Sequence, residues 1–146
     1  MTTFARDLDA GKSVESMVLD LIKPKYPAAT IIDGYFPGYD IWIPEIDKSV
    51  EVKLDQKSQD TGNIVIEVEM FDKPSALFST KADYWVIFDG FNFLWITPKK
   101  ILECIIFNKL KLVEFIGKGD DHSKKAFLIN KNLFSHYILS KGIFNE

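Results

Sequence analysis

Between residues 38 and 54 the chain alternates so strictly that an extended conformation is hard to avoid. Gly38-Tyr39-Asp40-Ile41-Trp42-Ile43-Pro44 is followed, after Glu45-Ile46-Asp47-Lys48, by Ser49-Val50-Glu51-Val52-Lys53-Leu54. In a strand, residues i and i+2 share a face and neighbours point opposite ways. Val50, Val52 and Leu54 therefore form one apolar side, while Glu51 and Lys53 project together from the other, about 6.6 Å apart along the strand. Two such segments joined by a tight turn predict an antiparallel hairpin with Asp40 on its first strand. Ionisable side chains gathered on one side of a sheet cost solvation energy unless something binds there. A divalent cation held by Asp40 and Glu51 is the natural candidate, with Lys53 left as a positive charge beside the reacting group.

An acid on one strand followed by Glu-x-Lys on its hairpin partner resembles the PD-(D/E)XK nuclease superfamily over roughly residues 11 to 90. The resemblance implies a restriction-endonuclease-like core of the α/β (α+β) class, a central mixed β-sheet flanked by α-helices. It also implies hydrolysis of DNA phosphodiester bonds with bound Mg2+, for which Mn2+ substitutes. Carried over position by position, Asp40 and Glu51 look like metal ligands, and Val52 looks like the residue whose backbone carbonyl completes the set. Lys53 looks like the lysine that orients or activates the attacking water. Resolvase-like and exonuclease-like branches also place a glutamate on the helix before the sheet, and Glu15 occupies that place. Glu67 and Glu69 share one face of the segment Asn63 to Met70, and either offers a third ligand, Glu67 lying nearer the middle of the strand.

Tyr39 stands where the superfamily's name has proline, and the glutamine of some branches has no counterpart, because Gln56 and Gln59 fall in a turn. With no separate sequence-reading module in view, a structure-selective endonuclease of the Holliday-junction-resolvase-like or phage type is the nearest branch. A non-catalytic binding or accessory module of a nucleic-acid pathway is the alternative, against which the intact acid, acid, lysine set argues.

The 146 residues suit one nuclease-like domain over 1–146, long enough to bury a core without staples. A single cysteine, Cys104, flanked by Ile105, Ile106 and Phe107, predicts a buried thiol and a reducing, cytoplasmic setting. No apolar run of signal-peptide or membrane-spanning length occurs, so no membrane association is expected. The net charge of −3 opposes phosphate binding, yet it is unevenly spread. Residues 1–96 hold nine Lys and Arg against sixteen Asp and Glu, or −7, and residues 97–146 hold nine against five, or +4. DNA is the expected partner, with Lys124 and Lys125 in the basic half as backbone contacts, and a homodimer is compatible with this reading.

The apolar spacing of Val14, Met17, Val18, Leu21 and Ile22 predicts a helix over about 11–23, ended by Pro24. Strands are expected near 29–35, 40–44, 49–54 and 63–70, and a helix is expected to begin at Lys73-Pro74. Tyr84 to Phe88 reads as a fully buried strand and Asp89-Gly90 as a turn into a strand from Phe91 to Ile96. Thr97 caps a helix running to about Phe107, and residues 117–125 read as a loop. Thr80 and Lys81 precede the buried strand, at an edge where sheets bind ligands, and are candidates for phosphate contact; the equal structural reading has Thr80 and Asp83 closing local turns. His122 and His136 lack metal-ligand spacing, and the phosphate-loop, dinucleotide and serine-elbow motifs are missing, which removes those chemistries as first choices.

Overall fold

The computed structural model describes residues 3–32, 38–116 and 123–144. Helix α1 (Thr3–Ile22) is longer than its apolar spacing predicts and stops before Pro24, whose ring disfavours helical backbone in the residue ahead of it. Val14, Val18 and Ile22 are its buried stripe, while Met17 and Leu21, expected on the same face, are 40% and 44% exposed. Strands β1 (Thr30–Ile31), β2 (Ile41–Ile43) and β3 (Lys48–Leu54) follow as an antiparallel meander. The turn between β2 and β3 is a 3-10 turn at Pro44–Ile46 closed by Asp47 in the left-handed region, φ 54°. Of the expected strand over 29–35, residues 33–35 lie outside the described residues.

The chain then forms a short helix α2 (Ser58–Thr61), β4 (Asn63–Met70), β5 (Lys73–Pro74) and a 3-10 turn at Ala76–Phe78 before entering β6 (Tyr84–Phe88). β6 lies parallel to β3, with Glu51 opposite Trp85 and Lys53 opposite Ile87, and β7 (Phe93–Ile96) closes the sheet. Its order is β1-β2-β3-β6-β7. Helix α3 (Pro98–Phe107) starts at Thr97, whose hydroxyl accepts the Lys100 N–H at 3.2 Å, as a capping residue should. β8 (Leu112–Phe115), β9 (Lys124–Asn130) and α4 (Lys131–Phe134) complete the described elements.

The class is mixed α/β, with a mixed central sheet and helices, but a second sheet corrects the expectation of a single one. β4 leaves the central sheet and joins an antiparallel sheet of order β5-β4-β9-β8. The expected helix at Lys73-Pro74 is instead a hairpin: Phe71 and Asp72 both take positive φ, 53° and 58°, so the chain reverses and Pro74 pairs with Glu69 on an edge that tolerates proline. β7 begins at Phe93 rather than Phe91, because Asp89 Oδ1 draws the N–H groups of Phe91 and Asn92 into a turn at 2.8 and 2.7 Å. Lys124 and Lys125, expected in a loop over 117–125, lie on β9; residues 117–122, with His122, are outside the described residues.

Alternation along the central sheet divides the core. Val50, Tyr84 and Val86 pack with Val14, Val18 and Ile22 of α1, whereas Trp85, Ile87 and Ile96 face Ile64, Ile66 and Val68 of β4, Ile129 of β9 and Ile101 and Cys104 of α3. No helix among the described residues is long and apolar enough to cross a membrane.

Candidate active site at the β2–β3 junction

Asp40 and Glu51 are brought together where β2 meets β3. Asp40 donates its N–H to Val50 O at 2.9 Å although Val50 is in register with Ile41, so the ladder is irregular at this end. Its carboxylate oxygen Oδ2 accepts the Val52 N–H at 2.7 Å. In a strand the N–H and C=O of one residue project to the same side, so the Val52 carbonyl opens beside Asp40.

Glu51 projects from the opposite face to Val50, toward Trp85. Its side chain is 12% exposed, and its Oε2 atom is buried without a hydrogen-bond partner, 3.9 Å from Lys53 Nζ. Burial pushes its carboxyl up to about 7; the Lys53 charge opposes the rise and Asp40 adds to it. Glu15 reaches the same place from α1. Burial, then the charge of Asp40 and a hydrogen bond with it, raise the Glu15 carboxyl to about 7 against the pull of Lys12. A neighbouring negative charge makes ionising Glu15 costlier. Lys53 Nζ lies 5.4 Å from the centroid of the Trp85 ring, and the Trp85 indole N–H donates to Thr80 Oγ1 at 3.1 Å.

These groups suit a hard cation. Asp40, Glu51 and the Val52 carbonyl offer oxygen donors, one of them an orphaned buried carboxylate atom, and Mg2+ takes few protein carboxylates and keeps several waters. Among the described residues no group of three or more His, Cys, Asp or Glu side chains is gathered closely enough to hold a metal alone.

Glu67, the other candidate ligand, lines the cleft that Lys53 also lines. It sits on the second sheet, where Oε2 accepts from Ser75 Oγ at 2.8 Å and Oε1 lies 3.7 Å from Lys124 Nζ. A register shift between Glu67 and Glu69 separates the pair, and Glu69 lies 3.5 Å from Lys125 Nζ. Lys124 and Lys125 thus face carboxylates of the neighbouring strand. The Thr80 hydroxyl accepts from Ala82 N at 3.2 Å as well as from Trp85, while Lys81 is exposed.

Two more carboxylates brace this site, of which sequence reasoning gave Asp83 only a local turn and Asp55 no role. Asp83 Oδ2 accepts from Ser49 N and Ser49 Oγ at 2.9 and 3.1 Å, tying the start of β6 to the start of β3. Asp55 closes the other end, accepting from Ser58 N at 3.2 Å and from Val65 N of the second sheet at 2.9 Å. The signal for Asp83 was its place before an apolar strand; its partner 34 residues away left no local trace.

Compared with known proteins, the chain matches no family model, no curated protein and no solved structure.

Proposed function

We propose that the protein is a metal-dependent nuclease that hydrolyses DNA phosphodiester bonds. The observation that carries this reading is the buried, unpartnered Glu51 Oε2 beside Asp40, with Lys53 3.9 Å away on the same strand face. A carboxylate held there without a hydrogen bond is costly, and a cation offsets that cost. The order α1, the β1-β2-β3 meander and β6 parallel to β3 is compatible with a restriction-endonuclease-like core. The crossover departs from it, since β4, β5 and a 3-10 turn stand where that pattern has a helix.

In this reading Asp40, Glu51 and the Val52 carbonyl hold Mg2+. When bound, the ion polarises the scissile phosphate and neutralises the charge that develops on it. Lys53 Nζ orients the attacking water, steadied by Glu51 and the Trp85 ring. Glu15, its carboxyl raised to about 7, is about half protonated at neutral pH, which eases its repulsion with Asp40.

The test is a panel of linear duplex, single strand, flap and four-way junction DNA incubated with Mg2+, Mn2+ or Ca2+. Cut products with Mg2+ or Mn2+, lost in Asp40→Asn, support the reading. No products from any substrate with either ion would overturn it in favour of a binding module.

A further inference from the structure

A cleft of about 590 Å3 opens beside Lys53, between the C-terminal end of β3, one face of the second sheet and the Ala10-Gly11 stretch of α1. Its size is that of a site enclosing a small molecule rather than a helix of nucleic acid. The major groove of B-form duplex is already ~12 Å wide, and the whole duplex is wider. The walls combine two chemistries. Phe115, partly exposed, and Val65, 39% exposed, present apolar surface from the second sheet, and Lys53, Lys57 and Lys124 bring cations. The two carboxylates on the walls are engaged: Asp55 accepts two backbone N–H groups, and Glu67 accepts from Ser75 and faces Lys124. With three lysines against two carboxylates the walls sum to +1 in a chain of net charge −3, although Lys53 and Lys124 are shared with Glu51 and Glu67.

We propose that this cleft receives an unpaired nucleic-acid strand, a nucleotide or two deep, so that single-stranded or flapped substrate is preferred over paired duplex. A base stacked on Phe115, with Val65 beside it as apolar wall, is the arrangement by which single strands bind with little sequence preference, while lysines track the phosphates. Lys53 lines the cleft and also contacts Glu51, so a phosphate leaving the cleft arrives beside the carboxylates. The inference rests on the nuclease reading for the fate of the strand and on the cleft alone for its kind.

Fluorescence anisotropy of the Asp40→Asn protein without added metal tests it, using a labelled oligothymidine, a labelled blunt duplex and thymidine monophosphate as competitor. The single strand is expected to bind at least roughly tenfold tighter than the duplex, and Phe115→Ala to remove roughly tenfold of that affinity. Lys57→Gln, on an exposed residue, is expected to flatten the plot of log K against log salt by up to ~0.7 without changing the melting temperature. Equal or tighter duplex binding, affinity unmoved by both substitutions, or a mononucleotide that binds as tightly as the oligomer would each overturn the proposal. If single-strand binding depends on Phe115 and Lys57 but nothing is ever cut, the nuclease chemistry fails and the cleft assignment stands. Asp40-dependent cutting of duplex that ignores both substitutions gives the reverse.

Discussion

Asp40 Oδ2 accepts the Val52 N–H at 2.7 Å, so the acid at the head of β2 is fastened to the strand that carries Glu51 and Lys53. A side chain thus extends the backbone ladder where β2 begins, and this holds two carboxylates and a lysine in a fixed relation.

Asp40→Asn retains an oxygen that accepts the Val52 N–H but removes the charge. Cleavage is expected to fall by at least ~100-fold, the size seen when one electrostatic stabiliser is lost. Single-turnover cleavage beside a thermal melt checks this. Near-parental cutting by a folded variant would remove Asp40 from the site.

Glu51 makes stability depend on pH. Its carboxyl ionises near its ordinary 4.5 when unfolded and near 7 when folded. As pH rises between those values the unfolded chain releases the proton first, so folding loses up to about 3 kcal/mol by pH 8. Glu51→Gln is expected to be the more stable protein at pH 8 and no more stable below about pH 4.5, measured by denaturant titration without metal. Added Mg2+ should raise the stability of the parent at pH 8 and not that of Glu51→Gln.

Lys53→Ala separates binding from chemistry. Ca2+ accepts the same oxygens as Mg2+ with looser coordination. It is expected to tighten DNA binding in both parent and variant, because it offsets the carboxylate charge that repels phosphate. Cleavage with Mg2+ should fall at least ~100-fold in the variant. Loss of the Ca2+ effect in Lys53→Ala would show that the lysine holds substrate rather than acting on water.

Asp89 and Lys131 supply a stability test remote from the carboxylates. Burial raises the Asp89 carboxyl, but hydrogen bonds from Lys131, at 2.8 Å, and from the N–H groups of Asn92 and Phe91 outweigh it and hold the pKa below the ordinary carboxylate value. Lys131→Met strands a buried charge and is expected to cost roughly 3 kcal/mol at pH 7. Because a lowered carboxyl loses its stabilising effect as pH falls through its folded value, the penalty should shrink in acid. A chemical-denaturation series over pH reads both effects.

Much of the site was legible from period and spacing. The alternation at 49–54 put Val50 and Glu51 on opposite faces, and the short turn after Pro44 brought Asp40 back alongside. The sheet that Glu67 occupies was not legible for a physical reason: a strand's alternation states which residues share a face but not which sheet the strand enters. Ile64, Ile66 and Val68 bury equally well against β9 and α3 as against a central strand, and β9 begins 54 residues after β4 ends. The hairpin at Phe71-Asp72 was hidden because positive φ is unusual for phenylalanine, so no turn signal marked it.

What the sequence by itself determined is local: the extended hairpin, the capped helix after Thr97, the buried run at 84–87 and the residues each presents on one face. These depend on backbone geometry and side chains within a few positions. Only the tertiary structure decided that β6 lies beside β3, that Trp85 sits under Lys53, that Lys124 and Lys125 face Glu67 and Glu69, and that Glu51 Oε2 is buried without a hydrogen bond. Each of those depends on the joint burial of segments far apart in the chain, and burial sets both which charges meet and how strongly each carboxyl holds its proton.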